Sequence, residues 1–62
     1  MSSDDIVKKI KKDGWYLVNT VGSHMQFRHP VKKGRVTVPE GRKDVPIGIV
    51  ISIEKQSGLK LR

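Results

Sequence analysis

Apolar and polar positions change period twice along this chain. Between Ser3 and Asp13 the apolar residues Ile6, Val7 and Ile10 recur at i, i+1 and i+4, and Lys8, Lys9, Lys11 and Lys12 fill the other face. That spacing predicts an amphipathic helix over 3–13 with a narrow apolar stripe. Either Ser2 or Ser3 can cap this helix; Ser2, with Asp5 three residues on, forms a weaker version of the capping box, and Asp4 and Asp5 suit the positive end of the helix dipole. Gly14 follows as a C′ residue. From Trp15 the period becomes two. Trp15 to Val21 is rich in aromatic and β-branched residues and bounded by glycines, which predicts a strand over 15–21. Strict alternation puts Trp15, Leu17, Asn19 and Val21 on one side and Tyr16, Val18 and Thr20 on the other.

Gly22-Ser23 reads as a turn into a second strand over 24–29. His24, Gln26 and Arg28 share one face of it, and Met25, Phe27 and His29 share the other. Pro30 to Gly34 is a hairpin loop carrying Lys32 and Lys33. A third strand over 35–38 alternates Arg35 and Thr37 with Val36 and Val38, and Pro39 ends it. The stretch from Pro39 to Asp44 is polar and aperiodic. Ile47-Gly48-Ile49-Val50-Ile51 would pass for a strand on propensity. Three features favour a helix over 46–57: Pro46 suits position N1, Gly58 suits C′, and Ile49, Val50 and Ile53 repeat the face of the first helix. Leu59 is expected to pack beneath the last turn, with weaker support for Leu61, and the chain then ends in a short basic tail.

The order is α-β-β-β-α. Three antiparallel strands with two helices on one face make a two-layer α+β domain spanning residues 1–62, with the other sheet face free. A chain of 62 residues buries only about 60% of its unfolded surface, so Trp15, its largest apolar side chain, is expected inside. Ile6 to Ile10 is too short, and too interrupted by lysine, to form a signal core or a spanning helix. With no cysteine, disulfides and thiolate metal sites are excluded, and a reducing, cytoplasmic setting fits. The two histidines are five apart with no carboxylate at a familiar ligand spacing, so no metal and no cofactor is expected.

Thirteen Lys and Arg stand against six acidic residues, a formal net charge of +7. The excess is concentrated in 22–43, where Arg28, Lys32, Lys33, Arg35, Arg42 and Lys43 face only Glu40. Nucleic acid is therefore the first partner to consider, ahead of a membrane surface or an acidic protein. His24, just after a glycine turn and beside this charge, is the candidate acid/base group, since imidazole titrates near neutrality. The plainer alternative is a solvated histidine with no role. Ser23 either orients His24 or a ligand, or only serves the turn. Arg28 and Lys33 are the leading candidates for phosphate contact, with Lys32 and Arg35 beside them. Arg42 and Lys43 belong either to a phosphate-contacting loop or to an ordinary connector. The helix lysines read as a solvated face.

Taken together, Asp13-Gly14-Trp15, Gly22-Ser23-His24-Met25-Gln26-Phe27, His29-Pro30, Gly34-Arg35-Val36-Thr37-Val38-Pro39, Asp44-Val45-Pro46-Ile47-Gly48 and Ile53-Glu54-Lys55-Gln56-Ser57-Gly58-Leu59 resemble the HicA toxin family. The resemblance covers nearly the whole chain. It implies a fold like that of the double-stranded-RNA-binding domain. It also implies metal-independent cleavage of mRNA with His24 as the catalytic histidine, and an antitoxin of the HicB type covering the active face. The chain departs from the family where many members carry a histidine just after Val-Pro and this one has Glu40. The competing readings are a non-catalytic RNA-binding module of the same fold and a protein whose basic face matches an acidic partner.

Overall fold

The computed structural model describes residues 1–62 in the order α1 (Ser3–Lys12), β1 (Tyr16–Val21), β2 (His24–Arg28), β3 (Val36–Pro39) and α2 (Ile47–Ser57). The first helix begins in a complete capping box. The Asp5 N–H donates to Ser2 Oγ at 3.1 Å, and the Ser2 N–H donates to the Asp5 carboxylate at 3.3 Å. That bond from the Ser2 backbone is the main reason the Asp5 carboxyl lies below its ordinary range. Pro46 is the N-cap of α2, one position earlier than the N1 place expected for it. Its ψ of 142° is extended, and its carbonyl already accepts from Ile49 and Val50 at 3.0 and 3.1 Å. Gly58 ends α2 in the left-handed conformation, at φ 75°.

The sheet is antiparallel in the order β1-β2-β3. Leu17 pairs with Phe27, but Asn19 pairs with Gln26, so Val18 is an extra residue in β1. This bulge corrects the strict alternation expected of the strand. A bulge shifts the register by one and turns every later side chain over. Tyr16, Asn19 and Val21 consequently share a face with Arg28, Gln26 and His24. Leu17 and Thr20 share the opposite face with Phe27 and Met25.

One core lies between the sheet and the helices: Ile6 and Ile10 from α1, Val50 and Ile53 from α2, Phe27, Val36 and Val38 from the sheet, with Trp15, Val45 and Leu61. Leu61 enters it from the tail, and Leu59, half-buried, packs against it as expected. The Glu54 carboxylate accepts the N–H groups of Leu61 at 2.8 Å and Arg62 at 3.3 Å, which turns the tail back beneath α2. The Leu61 N–H is also the main reason the Glu54 carboxyl is held below its ordinary range. The helices cover β2 and β3 but not β1. Leu17, although on the helix-facing side, remains 47% exposed, and no β1 residue is buried.

His29 fastens the far end of β2 to α1. Its Nδ1 accepts from the N–H groups of Val31 at 3.0 Å and Lys32 at 2.9 Å. Two donors on Nδ1 require a lone pair there, so the proton sits on Nε2, which donates to the Asp13 carbonyl at 2.7 Å. The ring lies edge-on to Trp15, centroids 5.2 Å apart. It presses on Gly14, where an added Cβ would stand 2.8 Å from Nε2. Lys32 completes the junction. Its ammonium donates to the Asp13 carboxylate at 2.6 Å and the Ser57 carbonyl at 3.1 Å, joining α1, the hairpin loop and α2.

Candidate active site

The turn before His24 has two residues, Gly22 and Ser23, between the paired Val21 and His24. Gly22 alone has positive φ, 60°, the pattern of a type II′ hairpin turn with glycine at its first central position. This turn sets His24 at the head of β2, between Val21 on one neighbour and Pro39 on the other. The imidazole is exposed and makes no hydrogen bond within the protein. It lies on the sheet face that carries no helix, so solvent and a large ligand can reach both ring nitrogens.

The same end of the sheet holds the loop after β3. The Glu40 N–H donates to the Ser23 carbonyl at 2.7 Å, which stations Glu40 beside the turn. Ser3 at the start of α1 ties the loop down. Its hydroxyl donates to the Pro39 carbonyl at 2.5 Å and accepts the Arg42 N–H at 3.0 Å, and its own N–H donates to the Arg42 carbonyl at 2.9 Å. Arg42 and Lys43 are thereby held at the His24 end with exposed, unpaired side chains. Both helices also begin at this end, since the Val45 N–H donates to the Met1 carbonyl at 2.9 Å.

The other cations fall elsewhere. Arg28 shares the face of His24 but lies four residues further along β2, about 13 Å away along the strand. Lys33 and Arg35 flank it at that far end, exposed and free of ion pairs. Lys32 is engaged by Asp13 and Ser57. Its bond is the main reason the Asp13 carboxyl lies below the ordinary range, with the indole N–H of Trp15, which has no partner in hydrogen-bond geometry, adding the least. His29, the other histidine, spends both nitrogens on the backbone. Hence the face offers an imidazole at one end and Arg28, with Lys33 and Arg35 beside it, at the other, while Arg42 and Lys43 stand in the loop that follows β3 at the His24 end. This suits a polyanion lying along β2 better than one phosphate gripped at a point.

No group of three or more His, Cys, Asp or Glu side chains converges to hold a metal ion, and no helix is long and apolar enough to cross a membrane. Neither groove on the surface contains His24. One, about 400 Å³, lies between Lys9, Lys12, Asp13 and the tail, and the other, about 420 Å³, between the end of α2 and the tail. The candidate site is therefore an open sheet face. One contact on it was invisible in the sequence: the Thr37 hydroxyl donates to Gln26 Oε1 at 3.1 Å across β2 and β3.

Three antiparallel strands between two helices, both packed on one face of the sheet, define a double-stranded-RNA-binding-domain-like fold. Residues 3–59 match the sequence profile described as the HicA toxin of bacterial toxin–antitoxin. The chain belongs to this family. No curated protein matches it significantly.

Proposed function

We propose that this chain is the toxin of a type II toxin–antitoxin pair and that it cleaves mRNA as a metal-independent endoribonuclease, with His24 as the acid/base group. The observation that carries this reading is the exposed, unpartnered imidazole at the head of β2, on the helix-free face that also carries Arg28. RNA supplies its own nucleophile. His24 takes the proton of a 2′-hydroxyl as the 2′-oxygen attacks the adjacent phosphorus. The P–O5′ bond breaks, a 2′,3′-cyclic phosphate remains on one fragment, and the 5′-oxygen leaves with a proton drawn from solvent or from the protonated ring. Arg42 and Lys43, in the loop that Ser3 ties to the His24 end of the sheet, are the candidates to meet the charge that develops on the phosphorane, and Ser23 holds the turn that aims the ring. Arg28, Lys33 and Arg35 take phosphates further along the strand.

A site with no lid is silenced most simply by another chain laid over it. An antitoxin of the HicB type, with acidic groups matching the basic face, would cover His24. His24→Ala decides the catalytic claim, because the side chain is exposed and unbonded and its loss should leave folding intact. Cleavage should fall to background while RNA binding persists, and a strand with every 2′-hydroxyl removed should bind without being cut. Full activity in the variant, cleavage of the deoxy strand at a similar rate, or complete loss in chelator restored by a divalent ion would each refute the mechanism.

A further inference from the structure

The helix-free face is ordered in rows. Register places Val21 beside His24, Asn19 beside Gln26 and Thr37, and Tyr16 beside Arg28. Successive rows on one face of a strand are about 7 Å apart, a spacing comparable to one nucleotide of extended RNA. The middle row carries side-chain amides and a hydroxyl. In it the Thr37 hydroxyl donates to Gln26 Oε1 at 3.1 Å, which orients that amide and leaves its NH₂ as the group available to a ligand. The last row sets an aromatic ring, 49% exposed, beside a guanidinium. Tyr16 reaches this face because of the bulge at Val18, which brings Asn19 and Val21 onto the same side. A core residue would be covered by a helix here, yet none packs on this face.

We infer that these rows form a base-reading track for single-stranded RNA running away from His24, in which one base stacks on Tyr16 and Gln26 donates its NH₂ to a base edge in the row between. The inference rests on the proposed function only in taking RNA as the ligand. Three properties select that ligand. The face is open and neither surface groove lies on it, so an extended strand can lie along its rows. Free Arg28, with Lys33 and Arg35 beside it, complements a phosphate backbone that has passed over uncharged middle positions. An exposed ring beside an arginine is the arrangement on which unpaired bases stack, and amides supply the hydrogen bonds that stacking lacks. Tyr16 and Gln26 are accordingly specificity residues, whereas Arg28 holds the backbone.

The test uses the full chain carrying His24→Ala, so that RNA stays intact, and measures anisotropy of a labelled RNA octamer. Each base in turn is replaced by an abasic site. One position, or two adjacent ones, should weaken binding by roughly fivefold or more. Adding Tyr16→Ser should weaken the intact RNA by a similar factor and abolish the abasic penalty, while Tyr16→Phe retains it. Gln26→Met should flatten the preference among the four bases at the neighbouring position and leave abasic RNA there unaffected. An abasic penalty unchanged by Tyr16→Ser overturns the track, even if cleavage by the wild type is intact. Absence of RNA binding at low salt would instead overturn the proposed function, and the track with it.

Discussion

Gly14→Ala tests the junction that fastens β2 to α1, and its cost can be assembled from the structure. Gly14 has φ 112°, outside the regions an L-residue occupies without strain, and an added methyl would lie 2.8 Å from His29 Nε2. Holding alanine at such a φ costs about 1–3 kcal/mol. The ring must also retreat, which breaks the 2.7 Å bond to the Asp13 carbonyl, for about 1 kcal/mol more. The sum, about 2–4 kcal/mol, is a large part of the roughly 3–9 kcal/mol available to a domain of this size. Trp15 is the only tryptophan and touches the same ring, so urea unfolding followed by its fluorescence reports on the junction directly. The steric part should vanish in a His29→Ala background, giving a double-mutant coupling of about 1 kcal/mol. Gly22→Ala serves as control, because nothing lies within 4 Å of its added Cβ. It should cost only the backbone term. A Gly14→Ala penalty no larger than that of Gly22→Ala, with no coupling to His29, would refute the account.

Leu61→Ala should lower stability by about 2–3 kcal/mol, the low end for a buried leucine because a chain terminus can settle into the gap; denaturant titration checks it, and Leu59→Ala should cost less. Arg28→Ala should reduce the slope of log K against log[salt] for single-stranded RNA by about 0.7, the value for one phosphate contact. Lys32→Ala should instead lower the melting temperature with little change in that slope, since its ammonium is engaged by Asp13 and Ser57. Asp5, Asp13 and Glu54 have folded-state pKa values below the ordinary 3.8, 3.8 and 4.5. The unfolded chain thus binds more protons as pH falls through that range. Their stabilisation should be complete above about pH 5 and be lost toward more acid pH, and Asp13→Asn should flatten that loss in urea titrations.

Local chemistry determined much of this protein by itself. Ser2 and Asp5 marked where α1 begins, Gly22-Ser23 marked the tight turn that displays His24, and the switch from a period of 3.6 to a period of two located the strands. These features act within a few residues, so a linear reading captures them. The resemblance carried by the Gly22–Phe27 stretch and its companions was legible for the same reason. Three decisions belonged to tertiary structure. The bulge at Val18 put Tyr16 and Asn19 on the sheet face that carries His24, and nothing in a Leu-Val-Asn sequence announces an extra residue, because a bulge is defined only against the partner strand. Lys32 looks like Lys33 in sequence, yet one ties α1 to α2 and the other stands free, since the Asp13 carboxylate that distinguishes them comes from another element. Leu61 is the tail residue the core buries fully, with Leu59 half-buried against it, because the Glu54 carboxylate captured two tail N–H groups and set the angle of return. Neighbours distant in sequence make these choices, and they come into contact only once the chain has folded.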